Sequence, residues 1–181
     1  MYLAPGKKKK QAITTSGPVL VTHHGLSGPA ALRLSAYAAR NFFDLNYKTD
    51  IFINWLPGFD NFEYLEGELW KLTSSSPKRK VGTSFPLVSS GQTSPIPRRL
   101  WSSIVTSSEI ELAKSWGDMS KKNVRKLAQT LLQCSVKVSG KGIFKEEFVT
   151  AGGISLKEIN MKTMESKICP GLYVCGGAFT F

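Results

Sequence analysis

The sequence predicts an α+β chain in which a small helical subdomain interrupts a sheet-based fold. Three observations carry this. Apolar residues recur at helical spacing through the middle of the chain, from about residue 59 to 133. Short β-type runs lie before and after that stretch. Two runs near the C-terminus lead into glycine pairs, Gly152–Gly153 and Gly176–Gly177. Paired glycines at a strand end let a backbone approach a flat or phosphorylated ligand where a side chain would collide.

Gln11 to Thr15 and Val19 to Thr22 read as two strands around a Ser16-Gly17-Pro18 turn. A helix then begins at Pro29, a residue suited to the first helical position, with Ser27 or Gly28 as its cap. Ala31, Leu34, Ala38 and Phe42 give it one buried stripe. Asp50 to Trp55 is a short strand. Asp60 with Glu63 makes a capping box for a second helix, whose inner face is Phe62, Leu65, Leu69 and Leu72. The Ser/Pro/Gly-rich stretch from Thr73 to Pro97 reads as a partly mobile loop. Pro97 opens a third helix with Leu100, Trp101, Ile104 and Val105 inward. Val124, Leu127, Ala128 and Leu131 mark a fourth, basic on its outer side at Lys121, Lys122, Arg125 and Lys126. Ser135 to Val138 and Phe144 to Thr150 are strands around Ser139-Gly140-Lys141-Gly142. Leu172 to Cys175 is the last strand.

The 24 basic and 13 acidic side chains leave a net charge of +11, which permits binding to an anion, a nucleic acid or an acidic membrane. The alternative is a generally basic surface with one solvated lysine run, Lys7 to Lys10. Cys134, Cys169 and Cys175 are an odd set without a CxxC pair. They argue against a disulfide framework or structural zinc, read as small buried hydrophobes, and favour a soluble protein in a reducing, intracellular compartment. No apolar run approaches the roughly 18 residues that span a bilayer.

His23 and His24 are the only histidines. As adjacent strand residues they point to opposite faces and do not readily chelate one metal, so no metal site is expected. One of them could serve as a cleft-facing acid, base or donor. The other reading is a polar strand end satisfied by backbone. Ser27 lies in Gly-Leu-Ser-Gly, which lacks the full nucleophile elbow, and capping explains it. Neither a Walker A nor a Gly-x-Gly-x-x-Gly fingerprint is present. Glu165 and Lys167 read as an ion pair that locks a tight loop, or as charges presented to a substrate.

The segment Gly17 to Ser35, with Thr22-His23-His24-Gly25-Leu26-Ser27-Gly28-Pro29 at its heart, resembles a motif of the BaiN-like (HI0933-like) flavoproteins. So do Val149-Thr150-Ala151-Gly152-Gly153-Ile154, Thr163-Met164-Glu165-Ser166-Lys167 and Gly171-Leu172-Tyr173-Val174-Cys175-Gly176. The resemblance implies an FAD-dependent oxidoreductase with a glutathione-reductase-like α/β domain, interrupted by an insert. On that reading residues 1–146 are a portion of the insert, with the helical subdomain at about 59–133. Residues 147–181 return into an incomplete FAD-binding domain, whose first βαβ unit would precede Met1. Thr150, Ala151, Gly152 and Gly153 would lie beside the flavin ring and Gly176 near its ribityl chain. Thr22, His23 and Ser27 would face the cleft. The family's glutamate is replaced by Gly177 here.

The expected function is hydride transfer between NAD(P)H and an unknown small organic substrate, with this segment alone catalytically silent. Nucleic acid is disfavoured as a partner on this reading. The alternative is a basic nucleic-acid-binding module using Lys7 to Lys10, Lys78 to Lys80, Arg98–Arg99 and the Lys121 to Lys126 face, or an interaction fragment that pairs its open strand edges with missing segments or another chain.

Overall fold

A computed structural model describes residues 2–3, 12–59, 61–87, 95–142 and 152–176. In chain order the elements are β1 (Tyr2–Leu3), β2 (Ile13–Thr14), β3 (Leu20–Val21), β4 (Leu26–Ser27), α1 (Pro29–Tyr37), α2 (Ala39–Asp44) and β5 (Thr49–Ile53). Then come α3 (Phe62–Ser75), α4 (Arg98–Ser107), α5 (Lys121–Leu132), β6 (Cys134–Val138), β7 (Ile159–Asn160) and β8 (Glu165–Ser166). Helices mixed with small antiparallel strand pairs make this an α+β fold, as expected. Two compact units form: Met1–Ala4 with Asp50–Lys137, and Pro5–Thr49 with Val138–Phe181.

In the first unit β1, β5 and β6 lie side by side in that order. The chain then builds a helical core. The expected cap Asp60 lies outside the described residues. The α3 cap is Asn61, whose Oδ1 accepts from Tyr64 N at 2.9 Å, and Glu63 in the first turn favours the helix dipole. Leu65 and Leu69 are buried, with Phe62 and Leu72 packed at the edge of the same core. From α4 come Trp101, Ile104 and Val105; from α5 come Val124, Leu127, Ala128 and Leu131. A capping box between Ser120 and Asn123 starts α5.

The described parts of the expected loop at 73–97, residues 73–87 and 95–97, are more ordered than their composition suggests. Helix α3 runs on to Ser75, and Val81, Phe85 and Ile96 are buried. Trp101 Nε1 donates to Val81 O at 2.7 Å, and Phe85 meets the Trp101 ring edge-on at 5.5 Å. Three apolar anchors outweigh the turn-forming residues between them.

In the second unit the hairpin partner differs from expectation. Strand β3 pairs with β4, Leu20 opposite Ser27 and Val21 opposite Leu26. Ser27 is therefore a strand residue and does not cap α1. Gly28 takes that place at φ 91°, with no side-chain cap, and Pro29 follows as the first helical residue. A Cβ at Gly28 would sit 3.0 Å from Leu20 N and Pro18 O, so the close hairpin demands glycine. Ala30, Leu34, Ala38 and Phe42 are buried as one stripe, although the helix breaks at Ala38. Strands β7 and β8 form a second hairpin. The strand expected at 172–175 is reduced to a single bridge between Tyr173 and Glu165, and that expected at 144–150 lies outside the described residues.

Candidate nucleic-acid interface

Charge is unevenly placed. From Lys71 to Lys137 there are 12 basic and 3 acidic side chains, a net +9 of the chain's +11. All of this falls in the first unit, where the acids Asp50, Asp60, Glu63, Glu66 and Glu68, which precede the stretch, bring the unit as a whole to +4. Both α4 and α5 begin with two exposed basic residues, Arg98–Arg99 and Lys121–Lys122. The helix dipole favours acids there, and each misplaced cation forgoes roughly 0.3–1 kcal/mol. Local helix stability therefore does not explain these residues.

A backbone ladder sets other cations beside the start of α5. Gly117 N donates to Pro77 O at 3.0 Å, Trp116 N to Arg79 O at 3.0 Å and Val81 N to Lys114 O at 2.9 Å. The ladder closes tightly: a Cβ at Gly82 would come within 2.9 Å of Leu112 backbone. Along it the side chains divide. Arg79 turns inward, its Nη2 donating to Ser84 Oγ at 2.9 Å, while Lys78 and Lys80 stay exposed. Lys80 Nζ reaches Ser115 Oγ at 3.1 Å. On α5, Lys126 is committed to Glu109 at 2.7 Å, and that ammonium holds the Glu109 carboxyl below its ordinary pKa. Arg125 lies over the Phe62 ring at 5.8 Å. The cationic helix face and the 78–80 cluster were visible in the sequence. The structural duties of Arg79 and Lys126 were not, because their partners are distant in sequence or lie in irregular backbone.

The residues singled out as ligand contacts lie in the second unit. Thr22, His23 and His24 form the tip of the β3–β4 hairpin, and Ser27 lies on β4. Thr22 Oγ1 accepts from His24 N at 3.2 Å and from Gly25 N at 3.1 Å. The two histidines thus occupy a turn rather than a strand, with ring centroids 3.8 Å apart. Among the described residues no three His, Cys, Asp or Glu side chains cluster to hold a metal. Gly152 and Gly153 adopt φ 111° and 144°, and Gly176 φ 81°. At Gly152 and Gly176 an added Cβ would meet nothing within 4 Å, so the backbone is open on that side. Thr150 and Ala151 lie outside the described residues.

Glu165 and Lys167 do not pair with each other. Glu165 Oε1 accepts from Gly171 N at 2.8 Å and Lys167 Nζ donates to Lys157 O at 2.9 Å, so each fastens backbone of the hairpin region. Cys169 and Cys175 are exposed and Cys134 is half-buried, contrary to their reading as buried hydrophobes. No described helix is long and apolar enough to cross a membrane.

Comparison with known proteins gives this geometry a context. The chain is 28% identical over 158 residues to the ribosomal RNA dihydrouridine synthase of Escherichia coli (strain K12), covering 87% of the chain and 35% of that protein. It is 27% identical to the protein of the same name from Haemophilus influenzae (strain ATCC 51907 / DSM 11121 / KW20 / Rd), with the same coverage. The chain therefore spans about a third of the length of these curated relatives. Their name corrects two expectations. These relatives are named for ribosomal RNA, which overturns the expectation of a small organic substrate reduced by NAD(P)H and the expectation that nucleic acid is disfavoured as a partner. The basic-module alternative was nearer. A family model, the HI0933-like protein barrel and H2TH domain, matches residues 2–149, and the chain belongs to the HI0933-like family.

Proposed function

We propose that this chain is part of a flavin-dependent enzyme that reduces uridine in ribosomal RNA to dihydrouridine, and that its helical unit is the RNA-facing part. The observation that carries this reading is the concentration of net +9 in residues 71–137, within the region matched by the family, in a chain similar to ribosomal RNA dihydrouridine synthases. An RNA substrate needs phosphate-neutralising charge, and a small neutral substrate does not.

Dihydrouridine differs from uridine by two hydrogens across the C5–C6 bond, so the reaction adds a proton and a hydride equivalent, the latter drawn from a two-electron reductant. Bound flavin supplies the hydride chemistry. The open backbone at Gly152 and Gly176 fits a flat cofactor lying against it, and Thr150, Ala151 and Gly153 are proposed to extend that contact. The remaining contacts to FAD are proposed to come from a glutathione-reductase-like domain of the longer protein. Thr22, His23 and Ser27, gathered on one hairpin, are the side chains of this chain proposed to face the uracil. A ribosomal RNA substrate accords with an intracellular location.

The test is removal of the gene for the natural protein from its host, followed by mass spectrometry of nuclease-digested ribosomal RNA. Loss of dihydrouridine at a defined position, restored by reintroducing the gene, is expected. Unchanged dihydrouridine in the deleted strain would overturn the proposal.

A further inference from the structure

Five cations of the first unit lie along one run of its backbone and engage no carboxylate among the described residues. Lys78 and Lys80 project from the ladder along residues 112–117, and that backbone leads through Ser120 into Lys121, Lys122 and Arg125 of α5. All five are exposed, and no hydrogen bond or ion pair ties any of them to an acid among the described residues. Of the acids nearby, Glu109 is engaged by Lys126, leaving Glu111 and Asp118 exposed beside the ridge. Cations outnumber free carboxylates there by five to two. Gly82 against Leu112 and the Lys80–Ser115 bridge hold the ladder in place, so the spacing is built into the fold.

We infer that this ridge grips the phosphate backbone of a paired RNA stem. The inference rests on the proposed RNA-directed function and names the form of RNA held. Four of the five groups are lysines, point charges that neutralise phosphates without reading bases. Unpaired strands are usually held by aromatic platforms alternating with cations. Among the described residues the ridge itself offers none: Phe62 is covered by Arg125, Trp116 is buried, and the exposed Tyr64 and Trp70 stand on α3. Rigidly spaced cations without a stacking surface suit a duplex, whose shape is recognised through its backbone. The stem would hold the substrate while an unpaired uridine is presented elsewhere.

The experiment uses the 181-residue chain and two probes: an RNA stem-loop of about 16 base pairs and single-stranded oligouridine of the same nucleotide count. The ridge variant carries Lys78→Gln, Lys80→Gln, Lys121→Gln and Lys122→Gln. The control carries Arg40→Gln, Lys48→Gln, Lys157→Gln and Lys162→Gln, four cations of the second unit. Circular dichroism melting verifies that both fold. In about 0.1 M salt the ridge variant should bind the stem-loop at least about tenfold more weakly, and the slope of log affinity against log salt should fall by about 3. The control should stay within about threefold of the parent, and the parent should prefer the stem-loop. Equal losses in both variants, no loss in either, or equal affinity for oligouridine would overturn the inference. If the ridge variant loses binding while ribosomal dihydrouridine is independent of the gene, the ridge stands and the proposed reaction falls. If dihydrouridine is lost in the deleted strain but the ridge variant binds normally, the reaction stands and the ridge falls.

Discussion

Two tryptophans of the first unit show what a single polar atom decides. Trp101 and Trp116 are both fully buried. Trp101 Nε1 donates to Val81 O at 2.7 Å, whereas Trp116 Nε1 is buried without an acceptor. Replacing Trp101 by Phe leaves the Val81 carbonyl unsatisfied, a cost of about 1–3 kcal/mol beyond the lost ring area. Replacing Trp116 by Phe loses ring area but also removes an unsatisfied donor. Urea unfolding should therefore rank W101F as the less stable variant, and the reverse order would contradict the bond. Helical spacing alone places Trp101 inward. Its acceptor lies 20 residues earlier in a stretch whose serines and prolines read as loop, so the bond was invisible in the sequence. The exposed Cys169 and Cys175 teach the converse: apolar neighbours in sequence do not guarantee burial when the segment forms no regular strand.

Among elements, the join between α4 and α5 is the most informative. Glu109, at φ 59°, begins the turn after α4 and reaches Lys126 on α5. The Lys126 hydrogen bond and charge hold the folded Glu109 pKa below its ordinary 4.5. A depressed carboxyl adds stability above the unfolded pKa, and that contribution disappears as pH falls through the folded value. The parent should thus hold a small advantage over E109Q near pH 7 that vanishes toward about pH 3. An advantage that persisted or grew at acid pH would exclude this role for the pair. The helices themselves were legible because a 3.6-residue apolar period survives in α3, α4 and α5. The hairpins were less so. Two-residue strands such as β3 and β4 carry no period, and Gly28 set their pairing by closing against Pro18 and Leu20. In the candidate site the cations were readable in kind and number, while their division into structural and free groups required the ladder.

At the scale of the molecule, the two units have their own buried residues. The first is built on Leu65, Trp101, Leu127 and their neighbours; the second buries Leu34, Phe42 and Ile159. Separate cores predict separate cooperative transitions. Calorimetry should resolve two, and Leu127→Ala, at a cost of about 2–5 kcal/mol, should lower one of them and leave the other in place. A single transition shifted as a whole would show the units to be energetically fused. The route of the chain through the first unit has a further consequence. It departs from β5 and comes back on β6, neighbours in one sheet, having made α3, α4 and α5 in between. Door and exit share a wall, so the helices can be traded or reshaped across evolution as a cassette. Such a chain can acquire a new charged surface without redrawing the sheet from which its helices spring.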